Sequence, residues 1–182
     1  MNRAVFLDRD GVINAAVVKQ GRPYPPATVE ELVISPGVEA ALLRLRKAGF
    51  RLIVVTNQPD VARGTQTRGR VEEINAWLLA RLPIDEFRVC YHDDRDNCHC
   101  RKPKPGLLLD AAKEHKLDLM TSFMVGDRWR DIEAGRTAGC RTVFIDHTYS
   151  ERQPDNPDVR LKSLAEAAHW IIQKEGQASW LH

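Results

Sequence analysis

The sequence predicts an α/β fold, a doubly wound parallel sheet carried by one domain over residues 1–182. Three observations predict it. Short apolar runs alternate with segments of helical period, the pattern of parallel strands joined by right-handed crossovers. The chain has 182 residues, enough for one sizeable core and short for two. Acidic, hydroxyl and basic residues recur just after the apolar runs, where sheets of this class receive ligands.

Taken in order, "RAVFL" (3–7) is a buried strand. The stretch "NAAVVKQGRPYPPATVEELVI" holds prolines at 23, 25 and 26, lacks a helical period and reads as an irregular loop. "SPGVEAALLRLRKAG" (35–49) opens on Ser-Pro, puts Val38, Leu42 and Leu45 on one face and stops at a glycine, so it reads as a helix. "FRLIVVT" (50–56) is the second strand. "TRGRVEEINAWLLARL" (67–82) is a helix with Val71, Ile74, Leu78 and Leu82 inward, and "EFRVCY" (86–91) the third strand. After a loop rich in Asp, Cys and His come a helix (106–117), a strand (122–127), a helix (129–139) and a strand (141–146). "SERQPDNPD" (150–158) is polar surface, and a closing helix covers 163–175. The core of the domain is thus expected over about 3–146.

Composition narrows the function classes. Hydrophobic content of 43% and charged content of 29% describe a globular chain. A net charge of +2 gives no electrostatic case for a nucleic-acid partner. No run is long and apolar enough for a membrane span, and no signal peptide precedes the first strand, so a cytoplasmic protein is expected. No exposed apolar helix stands out, which favours a monomer.

The chemistry starts at "FLDRDGVIN" (6–14). Residues two apart in a strand share a face, so Asp8 and Asp10 aim together while Arg9 points elsewhere and Gly11 turns the chain. Two clustered carboxylates repel, and the pair needs a cation or a shared proton. A divalent metal with oxygen ligands meets that need. Alone, an Asp-x-Asp is more often a solvated turn. Three further segments join it: "VVTNQ" with Thr56 and Asn57, "CRKPKPG" with Arg101, Lys102 and Lys104, and "MVGDRWRDIEAG" with Asp127 and Asp131. Each has an ordinary reading as turn, surface or helix cap. Together they bring a hydroxyl, a cation and a third carboxylate to the strand edge that bears Asp8.

The ordered set "DRDG", "TN", "RKP" and "GDRWRD" resembles the four motifs of the haloacid dehalogenase superfamily of phosphohydrolases, over residues 4 to about 146. The resemblance implies a Rossmann-like core and an aspartyl-phosphate mechanism. Asp8 would be the nucleophile and Asp10 the general acid and base. Magnesium would be held by Asp8, the backbone carbonyl of Asp10, and Asp127. Lys102 and Thr56 would hold phosphoryl oxygens. Gly11 would give room and free N–H groups near the phosphate, and Asn57 would contact substrate. Asp131 would orient Lys102 or the metal shell. Only about 45 residues separate Asp10 from Thr56, which leaves no room for a helical cap domain.

"CYHDDRDNCHC" raises a second metal. Three thiolates and one imidazole make a closed tetrahedral zinc set: Cys90, Cys98, Cys100 and His92, with His99 as the competitor. Such a structural zinc would hold the loop that presents Arg101 and Lys102. Cys140 is expected to be packed. The loop narrows the resemblance to the subgroup of heptose bisphosphate and histidinol-phosphate phosphatases. The expected reaction is removal of the 7-phosphate from a heptose 1,7-bisphosphate, a small phosphorylated sugar, with histidinol phosphate as the alternative substrate. The segment "AAVVKQGRPYPP" departs from both branches. A non-catalytic zinc-stabilised binding module is the reading from another class, and the near-neutral charge speaks against it. The pocket is expected to be open, walled by residues 14–28, 57–64 and the zinc loop. Arg63, Arg101 and Arg128 are candidates for the substrate's second phosphate or hydroxyls. Trp77, Trp129 and Trp170 read as helix packing, and His115, His147, His169 and His182 as exposed or packed.

Overall fold

The computed structural model describes residues 2–178; His182 lies outside them. In chain order the strands are β1 (Ala4–Leu7), β2 (Val17–Lys19), β3 (Arg22–Tyr24), β4 (Arg51–Asn57), β5 (Glu86–Cys90), β6 (Phe123–Gly126), β7 (Arg141–Ile145) and β8 (Val159–Leu161). The helices are α1 (Val38–Lys47), α2 (Arg68–Leu79), α3 (Gly106–His115), α4 (Trp129–Ala138) and α5 (Leu164–Ala178). Six strands form one parallel sheet in the order β5-β4-β1-β6-β7-β8.

β1 sits inside this sheet and is buried at every residue. A strand covered on both faces must be apolar throughout, and "AVFL" is. The two-residue period of a strand divides the core into two layers. Val5, Leu7, Leu52, Val54, Phe123 and Val125 pack against α1, α2 and α5. Ala4, Phe6, Ile53, Val55 and Met124 pack against α3 and α4. The inward positions read from α2 (Val71, Ile74, Leu78) and Leu82 beyond it are all buried, as is Cys140. Trp77 and Trp170 are partly buried against the first layer. Trp129 instead lies between the guanidinium groups of Arg130 and Arg152, 4.9 and 4.3 Å from its ring centre. His115 meets the Glu86 carboxylate at 3.1 Å, and His169 meets Arg44 at 3.4 Å.

Two segments differ from the sequence reading. The stretch read as irregular contains the antiparallel hairpin β2–β3. Gln20 and Gly21 both hold positive φ, 51° and 72°, which is the two-residue turn that matches strand twist. Pro23 is tolerated because a two-stranded ribbon has open edges that need no donor. The sheet also continues past β7 into β8, where no apolar run announces a strand. β8 is pinned at its start: the Asp158 carboxylate accepts from the Thr142 N–H at 2.7 Å and its hydroxyl at 2.8 Å. Thr142 is buried.

Replacing Asp158 by alanine leaves those two donors without a partner, which costs about 1–3 kcal/mol. The expected result is a lower melting temperature for Asp158→Ala that Thr142→Val does not add to, measured as a double-mutant cycle. Fully additive losses would disprove the pairing.

Candidate active site

The strand order brings the carboxyl ends of β1, β4 and β6 side by side. Asp8 follows β1, Thr56 and Asn57 end β4, and Asp127 follows β6. Lys102 reaches the same point from the loop before α3, and Asp131 from the first turn of α4. The Lys102 ammonium donates to Asp8 Oδ1 at 2.8 Å and to the Val55 carbonyl at 2.7 Å, and pairs with Asp131 Oδ1 at 2.6 Å. Its three N–H donors are thereby all engaged. Carboxylate oxygens of Asp8, Asp127 and Asp131 lie within 4.8 Å of one another.

All four groups are buried, and burial sets their charge chemistry. Burial pushes the Asp8 carboxyl up to about 6, with Lys102 pulling the other way. Burial, then the charges of Asp8 and Asp131, push Asp127 well above the ordinary carboxyl range. Burial alone would lower Lys102, but Asp131 and Asp8 hold it above its usual value. Asp131 has both oxygens engaged, since Oδ2 accepts from the Arg128 N–H at 3.0 Å. Asp127 differs: it is 3% exposed and neither of its oxygens closes a well-aligned hydrogen bond, although the Tyr149 hydroxyl stands beside it and is held above its usual range by burial and by this carboxylate. A buried carboxylate in that condition takes up a proton when alone and is neutralised otherwise by a cation. A hard divalent ion with oxygen ligands fits Asp8 and Asp127. Gly11 keeps that space open. It holds φ 89°, and a Cβ there would lie 1.8 Å from Asp127 Oδ2. Its N–H, expected to be free, donates to the Asn14 carbonyl at 2.7 Å. The glycine therefore supplies room rather than a donor.

Asp10 stands beside this group under different restraint. Its two oxygens accept from Arg9 Nε and Nη2, from Asn14 Nδ2 and from Gln58 Nε2, at 2.9–3.1 Å. Arg9 does not point elsewhere, as strand alternation suggests. The chain has already turned at this residue, and the fully buried guanidinium curls back onto its neighbour. Arg9 is braced in turn by Asn75 Oδ1 at 2.9 Å. Thr56 Oγ1 accepts from Gln58 at 3.0 Å, which leaves its hydroxyl hydrogen to donate. Asn57, expected at the substrate, has both amide ends on the main chain of Lys102, at 3.0 and 3.1 Å. It positions that lysine.

Above this floor a cleft of about 310 Å³ opens. Three of its walls are those anticipated: Arg22 to Pro25, Asn57 to Arg63, and the loop carrying Asp94, Arg101 and Lys102. The fourth sets Arg130 and Glu151 beside Arg128, itself a candidate from the sequence. The arginines expected to be available for substrate are paired. Arg63 forms a two-pronged bond to Asp93 at 2.8 and 2.9 Å. Arg101 donates to Asp94 at 2.8 Å, Arg130 reaches the same carboxylate at 3.0 Å, and Arg128 holds Glu151 at 2.5 Å. Long-range partners of this kind leave no mark in a sequence, and the same is true of His147, whose Nε2 meets the Gly11 carbonyl at 2.7 Å.

Behind the cleft, Cys90, Cys98, Cys100 and His92 form a compact cluster. Cys100 Sγ lies 3.3, 3.4 and 3.4 Å from Cys90 Sγ, Cys98 Sγ and His92 Nδ1, and Cys90 lies 3.7 Å from each of the other two. A tetrahedral zinc with bonds of roughly 2.0–2.3 Å needs edges of about this length, so the four donors could hold that ion. His99 faces away, to Asp110 at 2.9 Å.

Comparison with known proteins agrees with this geometry. The HAD-hyrolase-like family model matches residues 99–167. A D-glycero-beta-D-manno-heptose-1,7-bisphosphate 7-phosphatase of Helicobacter pylori is 34% identical over 176 residues, covering 93% of this chain and 97% of that enzyme. The enzyme of the same name from Escherichia coli K12 is 34% identical over 181 residues, covering 93% and 87%. The crystal structure of a D,D-heptose 1,7-bisphosphate phosphatase from B. bronchiseptica, complexed with magnesium and phosphate, superposes with a TM-score of 0.80 at 28% identity, covering 94% of this chain and 99% of that one. The chain belongs to the heptose bisphosphate phosphatase family of haloacid dehalogenase-like hydrolases.

Proposed function

We propose that this chain is a magnesium-dependent phosphatase that removes the 7-phosphate of D-glycero-β-D-manno-heptose 1,7-bisphosphate through an aspartyl-phosphate, for the synthesis of activated heptose and surface polysaccharide precursors. The observation that carries the chemistry is the cluster of buried carboxylates Asp8, Asp127 and Asp131 around Lys102, with Asp127 the one the lysine does not reach. The substrate rests on the family and on relatives that carry that name over nearly the whole chain. The protein works in the cytoplasm as a monomer. Among the described residues no helix is long and apolar enough to cross a membrane.

Asp8, Asp127 and the Asp10 carbonyl would hold magnesium, which when bound supplies the positive charge that offsets repulsion between a carboxylate and a phosphate. The remaining steps belong to side chains. Lys102 fixes Asp8 Oδ1 and so presents Oδ2 to phosphorus. As the Oδ2–phosphorus bond forms and the bond to the sugar oxygen breaks, Asp8 loses its negative charge. Lys102 then exchanges Asp8 Oδ1 for a phosphoryl oxygen, which Thr56 also binds through its hydroxyl hydrogen. Asp10 gives a proton to the departing oxygen, then takes one from the water that releases phosphate and restores Asp8. Arg9, Asn14 and Gln58 orient Asp10, and to carry the proton one of its oxygens gives up a donor it accepts at rest, Asn14 at Oδ1 or Gln58 at Oδ2. The zinc cluster fixes the loop whose Asp93 and Asp94 anchor the rim arginines.

Three outcomes check this reading. Phosphate release from the heptose bisphosphate should exceed that from histidinol phosphate, and Asp8→Asn should lower it by roughly 10³-fold or more with the melting temperature kept. A preference for histidinol phosphate would overturn the substrate, and near-normal turnover in Asp8→Asn the nucleophile.

The second concerns charge. A carboxyl raised by burial contributes stability below its unfolded value and loses it as pH rises through the folded one. For Asp8 that window runs from 3.8 to about 6. Magnesium should therefore raise the melting temperature more at pH 7 than at pH 5. At limiting magnesium, turnover should fall as pH drops through about 6. Asp127→Asn should raise the melting temperature of the metal-free protein and abolish the magnesium effect. A magnesium shift that persists in Asp127→Asn contradicts the assignment.

The third concerns zinc. Metal analysis should find one zinc per chain, and Cys98→Ser should lose it with a fall in kcat/KM of roughly tenfold or more. Full activity without zinc would refute a supporting role for the loop.

A further inference from the structure

Five arginines line the cleft: Arg22, Arg63, Arg101, Arg128 and Arg130. The last four are tied to Asp93, Asp94 or Glu151. Arg22 makes no ion pair with a described carboxylate. It stands on β3 of the hairpin, directly opposite Lys19 on β2. Like charges opposite one another across a ribbon are destabilising, and no acid of the hairpin relieves them. Tyr24, two residues from Arg22 and so on the same face, also lines the cleft, and Lys19 Nζ lies 5.8 Å from its ring centre. The hairpin is fixed in place, since Ser150 N–H donates to the Gly21 carbonyl in the turn at 2.9 Å.

We propose that the β2–β3 hairpin receives the distal, non-reacting phosphate of the substrate, with Arg22 as its ligand, Lys19 adding positive charge and Tyr24 covering the sugar. The proposal rests on the bisphosphate reading above. The reacting phosphate belongs at the floor with Asp8, Thr56 and Lys102. A second dianion in the same cleft needs a cation at the rim, and a guanidinium without a carboxylate partner is the group that can bind it two-pronged. Recruiting any of the other four requires breaking a charge-assisted pair first. The repulsion between Lys19 and Arg22 is relieved by the same dianion. Substrate selection is thereby assigned to the hairpin, and not to Arg63 or Arg101.

The test compares kcat/KM for the sugar bisphosphate with that for p-nitrophenyl phosphate, which has no second phosphate. Arg22→Gln should lower the ratio about ten- to hundredfold, the range for a hydrogen bond to a charged group, chiefly through KM for the bisphosphate. Arg22→Lys should recover part of the loss, and zinc content should stay at the wild-type level. A bisphosphate preference that survives Arg22→Gln overturns the assignment alone. A wild-type protein that hydrolyses p-nitrophenyl phosphate with no preference for the bisphosphate overturns the substrate reading, and the role of Arg22 with it.

Discussion

Three carboxylates and one ammonium share the floor of the cleft, and their charges do not cancel. Asp8, Asp127 and Asp131 are buried together around Lys102, with the Arg128 charge close to Asp127 as the further offset. Lys102 divides its bonds between Asp8 and Asp131, so the excess falls on Asp127. A fold that stabilised itself alone would not keep such a group, because an unpartnered buried charge costs several kcal/mol. The parallel sheet sets this up. Its adjacent strands end at one edge and deliver their carboxylates there whatever the pairwise repulsion, and the buried apolar rows of β1, β4 and β6 hold them together. The strain between packing and charge is what the magnesium proposed for this site would relieve.

The sheet and the floor of the site were legible in the sequence because both depend on local patterns. "AVFL" and "RLIVV" can hardly be other than buried strands, and Asp8, Thr56 and Asp127 each end or follow such a run at once. The hairpin was not legible. Gln-Gly is a weak turn signal beside Asn-Gly, and the prolines at 23, 25 and 26 argued for irregular chain. Nor was β8, whose three residues alternate in exposure and depend on Asp158 reaching Thr142. Arg9 departs from alternation for a different reason. Alternation holds within a strand, but residue 9 has left β1, and the buried guanidinium follows Asp10 and Asn75 instead. Gly11 and Asn57 show the same limit on a finer scale: their types were informative, but whether an N–H or an amide is already engaged depends on partners elsewhere in the fold.

The rim obeys another rule. Asp93 and Asp94 lie between two members of the cysteine–histidine cluster, and each reaches out to arginines of other elements. Asp93 holds Arg63, from the segment after β4, while Asp94 bridges Arg101 and Arg130. Exposed pairs of this kind contribute little to stability one by one. Their effect is geometric, since a loop held at both ends by the cysteine–histidine cluster can space its partners across the cleft. The same pairing removes those arginines from direct recognition. Charge at the rim is thus largely neutralised, while charge on the floor is not.

That division explains how an open cleft without a cap can still choose a substrate. A cap would exclude water and read the sugar; here neither task has a separate domain, and the loops must do the reading. A neutralised rim does not hold every phosphate that enters, so selectivity has to come from a position where positive charge was left uncompensated. Among the described cleft arginines Arg22 meets that condition. Its hairpin is tied to the loop after β7 through Gly21 and Ser150, and the next residue of that loop, Glu151, holds Arg128. The reader of the distal phosphate and the residue that follows Asp127 are therefore joined through a single short segment. The hairpin at the rim and the acidic floor are thus joined through the backbone of one loop.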